Sequence, residues 1–186
     1  VIIAIILFFT GCKKDATEIQ ADVYLAGYKE NISGKTSAAY WKNNTITILY
    51  NGNGDSYANS IYISGNDIYV SGNIDNGNTV KAVYWKNNIP IELTGTNSYA
   101  DATDLKVIGN DVYVAGHEQE QPGWKYMAKY WKNGVETPLT DGTKNAYAQS
   151  VAVNGNDVYV VGYEWGLPVT SYTAKFWKNG ILSDEI

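Results

Sequence analysis

Arginine is absent from this chain. All 14 basic residues are lysines, set against 19 acidic ones, for a formal net charge of -5. Phosphate and base-edge recognition rely on the planar, bidentate guanidinium, and an acidic chain repels a polyanion, so nucleic acid is excluded as a partner. Cysteine occurs once, as Cys12, which rules out an internal disulfide and leaves stability to packing. The one histidine, His117, cannot build a histidine-rich metal centre, and a Ser-His-Asp arrangement would have to use this residue. No metal and no cofactor is expected. Proline is confined to positions 90, 122, 138 and 168, where loops or outer strands tolerate a missing donor. Aromatic residues are plentiful instead, with 16 tyrosines and 6 tryptophans in a chain that is 45% hydrophobic, a composition of the globular class.

The N-terminus opens on an unbroken apolar run, Val1 to Phe9, too short to span a bilayer but matched to the core of a signal peptide. Thr10, Gly11 and Cys12 follow. Small residues before a lone cysteine, directly after an apolar core, resemble the lipobox of bacterial lipoproteins, with Phe9 where leucine is usual. The resemblance implies cleavage after residue 11, a lipid on Cys12, and a membrane partner reached through that anchor. Residues 1–11 are thus expected to be a truncated signal and 12–21 a tether. Lys13, rather than aspartate, follows the cysteine, which in such lipoproteins favours the outer membrane or cell surface.

The remaining residues, 22–186, repeat. Asp22-Val23-Tyr24-Leu25-Ala26-Gly27 returns from Asp67, from Asp111 and from Asp157, and its tyrosines fall at 24, 69, 113 and 159. A second motif keeps step: Tyr40-Trp41-Lys42-Asn43, Tyr84-Trp85-Lys86-Asn87, Tyr130-Trp131-Lys132-Asn133 and Phe176-Trp177-Lys178-Asn179. Four copies of two motifs divide the chain into units of about 22–54, 55–98, 99–144 and 145–186. Each unit reads as four short strands. A β-branched run ends at Gly65-Asn66, Gly109-Asn110 or Gly155-Asn156, the tyrosine motif follows, and the tryptophan motif then turns through Asn-Asn or Asn-Gly into a last strand.

Four antiparallel strands per unit of this length is the dimension of a β-propeller blade. The expected fold is all-β, of propeller type, with four four-stranded antiparallel blades forming part of a larger ring or an open arc. An intact four-bladed ring and a flat or solenoidal array are the alternatives. Neither the tryptophan-aspartate ending of WD40 blades nor the diglycine of kelch blades occurs, and the repeats resemble those of propeller-like bacterial lipoproteins. That resemblance carries no catalytic residue.

Tight turns fall on one face of such an array and the more varied connections on the other, where binding residues are expected. Those connections include 28–37, 73–80, 117–126 and 163–172. The repeated tryptophans and motif tyrosines read as packing between units. Trp124 and Trp165 fall outside that pattern and are candidates for stacking on a ligand. Tyr57, Tyr99 and Tyr147, each followed by alanine, are candidates for a ring around a channel mouth. His117 and Tyr163 stand at equivalent places where connections begin. Glu118, Glu120 and Glu164 lie in the same connections and could make the carboxylate pair of a glycosidase. Two functions follow as expectations: a lipid-anchored binding module for a glycan or a protein, or a glycan-processing hydrolase or lyase using those carboxylates.

Overall fold

The structure, a computed structural model, describes residues 6–7, 21–96, 98–120, 125–166 and 169–185. Within them the chain is all-β, with sixteen strands and no helix. The first unit comprises β1 (Ile6–Leu7), β2 (Val23–Glu30), β3 (Thr36–Lys42) and β4 (Thr45–Ile48). The second comprises β5 (Ser56–Ser64), β6 (Asp67–Asp75), β7 (Val80–Lys86) and β8 (Ile89–Glu92). The third is β9 (Tyr99–Ile108), β10 (Asp111–Glu120), β11 (Lys125–Lys132) and β12 (Val135–Pro138), and the fourth β13 (Asn145–Asn154), β14 (Asp157–Gly166), β15 (Val169–Lys178) and β16 (Ile181–Glu185). Every unit is an antiparallel meander in chain order, and a single parallel bridge, Val80 to Tyr99, joins the second sheet to the third. β1 comes from the apolar run assigned to the signal, while Cys12 and residues 17–20 lie outside the described residues.

Turn chemistry sets these registers. Gly109, with φ 60°, occupies the first central position of the two-residue hairpin between Ile108 and Asp111, the conformation of a type II′ turn. Asn133 and Gly134 both have positive φ, 52° and 82°, and close the type I′ hairpin between β11 and β12. Both turns match the right-handed twist of the strands they join. Pro90 and Pro138 fall in the outer strands β8 and β12, as expected.

One expectation needs correction. The connections between second and third strands are mostly strand, so His117, Tyr163 and Trp165 project from paired β10 and β14 rather than from loops. The cause is cross-strand satisfaction of polar residues that read as loop. Glu118 is buried on β10 with its carboxylate 2.9 Å from Nζ of Lys129, itself 1% exposed, and Glu164 pairs with Lys175 at 3.2 Å.

The units stack by a rule with a direction. Trp85, Val70, Val83 and Ile61 of the second unit pack on Tyr24, Ala38, Tyr40 and Leu49 of the first. Trp131, Val112, Val114 and Leu105 repeat this on Tyr69, Ala82, Tyr84 and Leu93. Trp177, Val158, Val160 and Val151 do so on Tyr113, Ala115, Ala128 and Leu139. Each unit therefore turns a tryptophan face to the unit before it and a tyrosine face to the unit after it. Trp85, Trp131 and Trp177 are buried, whereas Trp41, on which no other described unit packs, is partly exposed. Asp104 ties three first strands together by accepting from Ser60 Oγ at 2.9 Å, Ser150 Oγ at 2.6 Å and the Val151 amide at 3.1 Å.

The repeated polar residues have a separate task. In the third unit Asn133 donates through Nδ2 to Asp111 at 2.7 Å and accepts from the Val112 amide at 2.8 Å. Lys132 pairs with Asp111 at 2.8 Å and lies 5.2 Å over the Tyr113 ring. The same clamp recurs on Asp22, Asp67 and Asp157. It fastens the start of each second strand to the turn after the third.

Hydrogen bonds from the lysine and asparagine hold the Asp111 carboxyl below its ordinary range, and the bond to Asp111 raises Lys132 to about 12. A lowered carboxylate pKa stabilises the fold above the unfolded value of about 3.9 and is lost as pH falls through the folded one. Asp111→Asn is therefore expected to lower the thermal midpoint at pH 7, with a smaller deficit at about pH 3, as the pH falls towards the lowered folded value. Melting curves at the two pH values check this.

Candidate functional site

The site grows out of one recurring irregularity. Asn59, Thr103 and Gln149 are each skipped by the pairing of the first and second strands, leaving a β-bulge at the same place in β5, β9 and β13. The residue two positions before each bulge lies opposite the second strand: Tyr57 opposite Asn73, Asp101 opposite His117, Tyr147 opposite Tyr163. Bulge residues also reach the next unit. Asn59 Nδ2 donates to the Ala102 carbonyl at 3.0 Å, and Thr103 Oγ1 to that of Ala148 at 2.8 Å.

This placement corrects the ring of tyrosines. Counted back from the Gly-Asn turn, Tyr57 and Tyr147 stand eight residues before Gly65 and Gly155, but Tyr99 stands ten before Gly109. Asp101 takes the equivalent place. Tyr99 sits two residues further out, 40% exposed, beside a smaller cavity of about 120 Å³ shared with Asn73, Val80, Asp101, His117 and Tyr126.

A belt of side chains then runs across the unit boundaries. The Tyr28 ring meets Tyr57 edge-on at 5.1 Å, Asn73 Nδ2 donates to Asp101 at 2.9 Å, and His117 meets Tyr147 edge-on at 4.8 Å. Where the other boundaries have two rings, the middle one has an amide and a carboxylate. Around that polar gap the aromatics gather. Tyr126 lies 5.1 Å from His117 and 5.2 Å from Tyr147, Tyr163 lies 5.0 Å from Tyr147, and Tyr172 closes on Tyr163 at 5.2 Å.

Asp101, His117, Tyr147 and Tyr163 line a cavity of about 360 Å³ with the three bulge side chains, Asn59, Thr103 and Gln149. Burial lifts the Asp101 carboxyl above its ordinary range, against the lowering pull of the Asn73 and Asn59 amides. Burial pushes His117 down to about 4, so its imidazole is neutral at pH 7, and its Nδ1 is buried with no hydrogen-bond partner. Tyr147 and Tyr163 are likewise raised, first by desolvation.

Of the expected site residues, the fold brings His117, Tyr147 and Tyr163 together. Tyr57 is one boundary away against Tyr28, and Trp165, 41% exposed, stands on β14 opposite Asn145 and Tyr172, outside the lining of this cavity. Trp124 and Cys12, the expected lipidation position, lie outside the described residues. Glu118 and Glu164 are held by lysines, and Glu164 also by Lys144 at 3.6 Å. No group of three or more metal-ligating side chains occurs among the described residues. Asp101, Asn59, Thr103, Gln149, Tyr126 and Tyr172 were missed. The offset of Tyr99 from the turn was the available signal for Asp101. The sequence matches no protein-family model and no curated protein.

Proposed function

We propose that this chain is a binding module of β-propeller type, tethered to the cell envelope by a lipid on Cys12, that holds a glycan in the cavity at Asp101. The carrying observation is the composition of that cavity. Amides from Asn59 and Gln149, the Thr103 hydroxyl and the Asp101 carboxylate share one concave wall with Tyr147, Tyr163 and His117. Polar groups of these kinds meet the hydroxyls of a sugar, and its apolar ring face packs on aromatic side chains. A flat protein surface fits a recess of this size less well. The ring-like architecture is supported by four meanders stacked in one direction, with the first strands β5, β9 and β13 packed side by side.

The N-terminal motif supports anchoring at the outer membrane or cell surface. Processing before Cys12 would also remove β1 and expose the edge of β2 that it covers. Two of the three carboxylates of the hydrolase reading, Glu118 and Glu164, are paired with lysines, which favours the binding reading over it.

Screening the full chain on a glycan array, followed by calorimetry on the best ligand, tests the proposal. Tyr147→Ala with Tyr163→Ala is expected to weaken binding by about tenfold or more, at a modest cost in stability. Trp165→Ala is expected to leave affinity nearly unchanged. The opposite pattern, with Trp165 essential and the tyrosine pair dispensable, would move the site off this cavity.

A further inference from the structure

The charge of the cavity is unbalanced in one direction. Asp101 Oδ1 accepts from Asn59 Nδ2 at 2.7 Å and from Asn73 Nδ2 at 2.9 Å, both neutral donors. Among the described residues no lysine lines either the larger or the smaller cavity, although the carboxylate lines both. The other titratable groups around them are His117, Tyr99, Tyr126, Tyr147 and Tyr163. His117 stays neutral at pH 7 and so repels no cation. A carboxylate drawn partly out of water with only neutral amide partners keeps its negative charge without a cation to balance it. Tyrosine rings beside it present negative π-faces that attract a cation and gain nothing from an anion. The chain's net charge of -5 adds a weak field of the same sign.

We infer that the cavity at Asp101 selects a saccharide bearing a free ammonium group, an amino sugar rather than its neutral or acidic counterpart. This rests on the glycan-binding reading above. The ammonium donates to the carboxylate while the rings of Tyr147 and Tyr163 flank the sugar. A neutral N-acetyl group at the same place removes the cation, adds bulk, and leaves the carboxylate uncompensated.

The test compares two probes of one backbone, β-1,4-linked glucosamine oligomers with free amines and the fully N-acetylated oligomers of equal length. Each is titrated into the full chain, held in a detergent without a sugar headgroup, at pH 6, where the amines are largely protonated. The free-amine oligomer is expected to bind about tenfold or more tightly. Asp101→Asn is expected to erase that preference while keeping the thermal midpoint close to the parent's. Equal affinity, or preference for the N-acetyl form, overturns the inference while leaving glycan binding in place. Absence of binding to both probes also overturns it, and glycan-array binding to other sugars then shows whether the broader reading survives.

Discussion

Trp131→Ala is expected to cost about 3–5 kcal/mol, the range for deleting a large aromatic from a close-packed core. That loss corresponds to a fall in thermal midpoint on the order of 10 °C for a chain of this length. Trp131 is fully buried between the second and third units, against Tyr69, Ala82, Tyr84 and Leu93. Trp41 sits at the equivalent place in the first unit but is partly exposed, so Trp41→Ala is expected to cost less than half as much. Trp131→Phe separates packing from polarity. The buried indole Nε1 of Trp131 has no hydrogen-bond partner, so phenylalanine gives up volume while removing an unsatisfied donor, and its cost should be well below that of alanine. Chemical denaturation of the three variants checks the order. An equal loss at Trp41 and Trp131 would remove the directional stacking described for these units.

Gly116→Ala is the second large effect, and it reaches the cavity. A Cβ at Gly116 would fall on the carbonyl oxygen of Asp101, and would lie 3.0 Å from Cζ3 of Trp131. Backbone cannot retreat as a flexible side chain can, so the strand pair must open at the bulge. The destabilisation is expected at the upper end of the roughly 1–3 kcal/mol typical of overpacking, with Asp101 displaced. Gly72 and Gly162 press on the Tyr57 and Tyr147 carbonyls in the same way. Gly27 supplies the comparison: among the described residues a Cβ there meets only the Trp41 ring, at 3.4 Å, and Gly27→Ala is expected to cost less than Gly116→Ala. Denaturation midpoints together with ligand titration of both variants decide it. Full affinity in Gly116→Ala would break the link between the bulge and the site.

These glycines show what the sequence made legible and what it hid. Their recurrence as the sixth residue of the tyrosine motif marked them as backbone positions of one repeated strand, and the two-residue turns that begin at Gly65, Gly109 and Gly155 were legible for the same reason. The all-β repeats of four antiparallel strands follow from such local signals. The bulges did not show, since an extra residue in a strand changes no composition and shifts register by one. Tyr99 lines up with Tyr57 and Tyr147 only through the alanine that follows each of them; it stands two residues further from its turn, and Asp101 takes the equivalent register position. Polar residues such as Glu118 read as loop because a partner, here Lys129, lies across a strand pair that only the fold supplies.

The belt at the unit boundaries is built from one residue of each neighbour, whereas the tryptophan and tyrosine faces are the same in every unit. Duplicating, deleting or exchanging a whole unit would therefore restore the same hydrophobic contact at every junction. The belt pair at a new junction would differ from the native ones: joining the first unit to the third would set Tyr28 against Asp101, and joining the second to the fourth would set Asn73 against Tyr147. Recombination between units can in this way reshuffle what the array recognises without touching what holds it together.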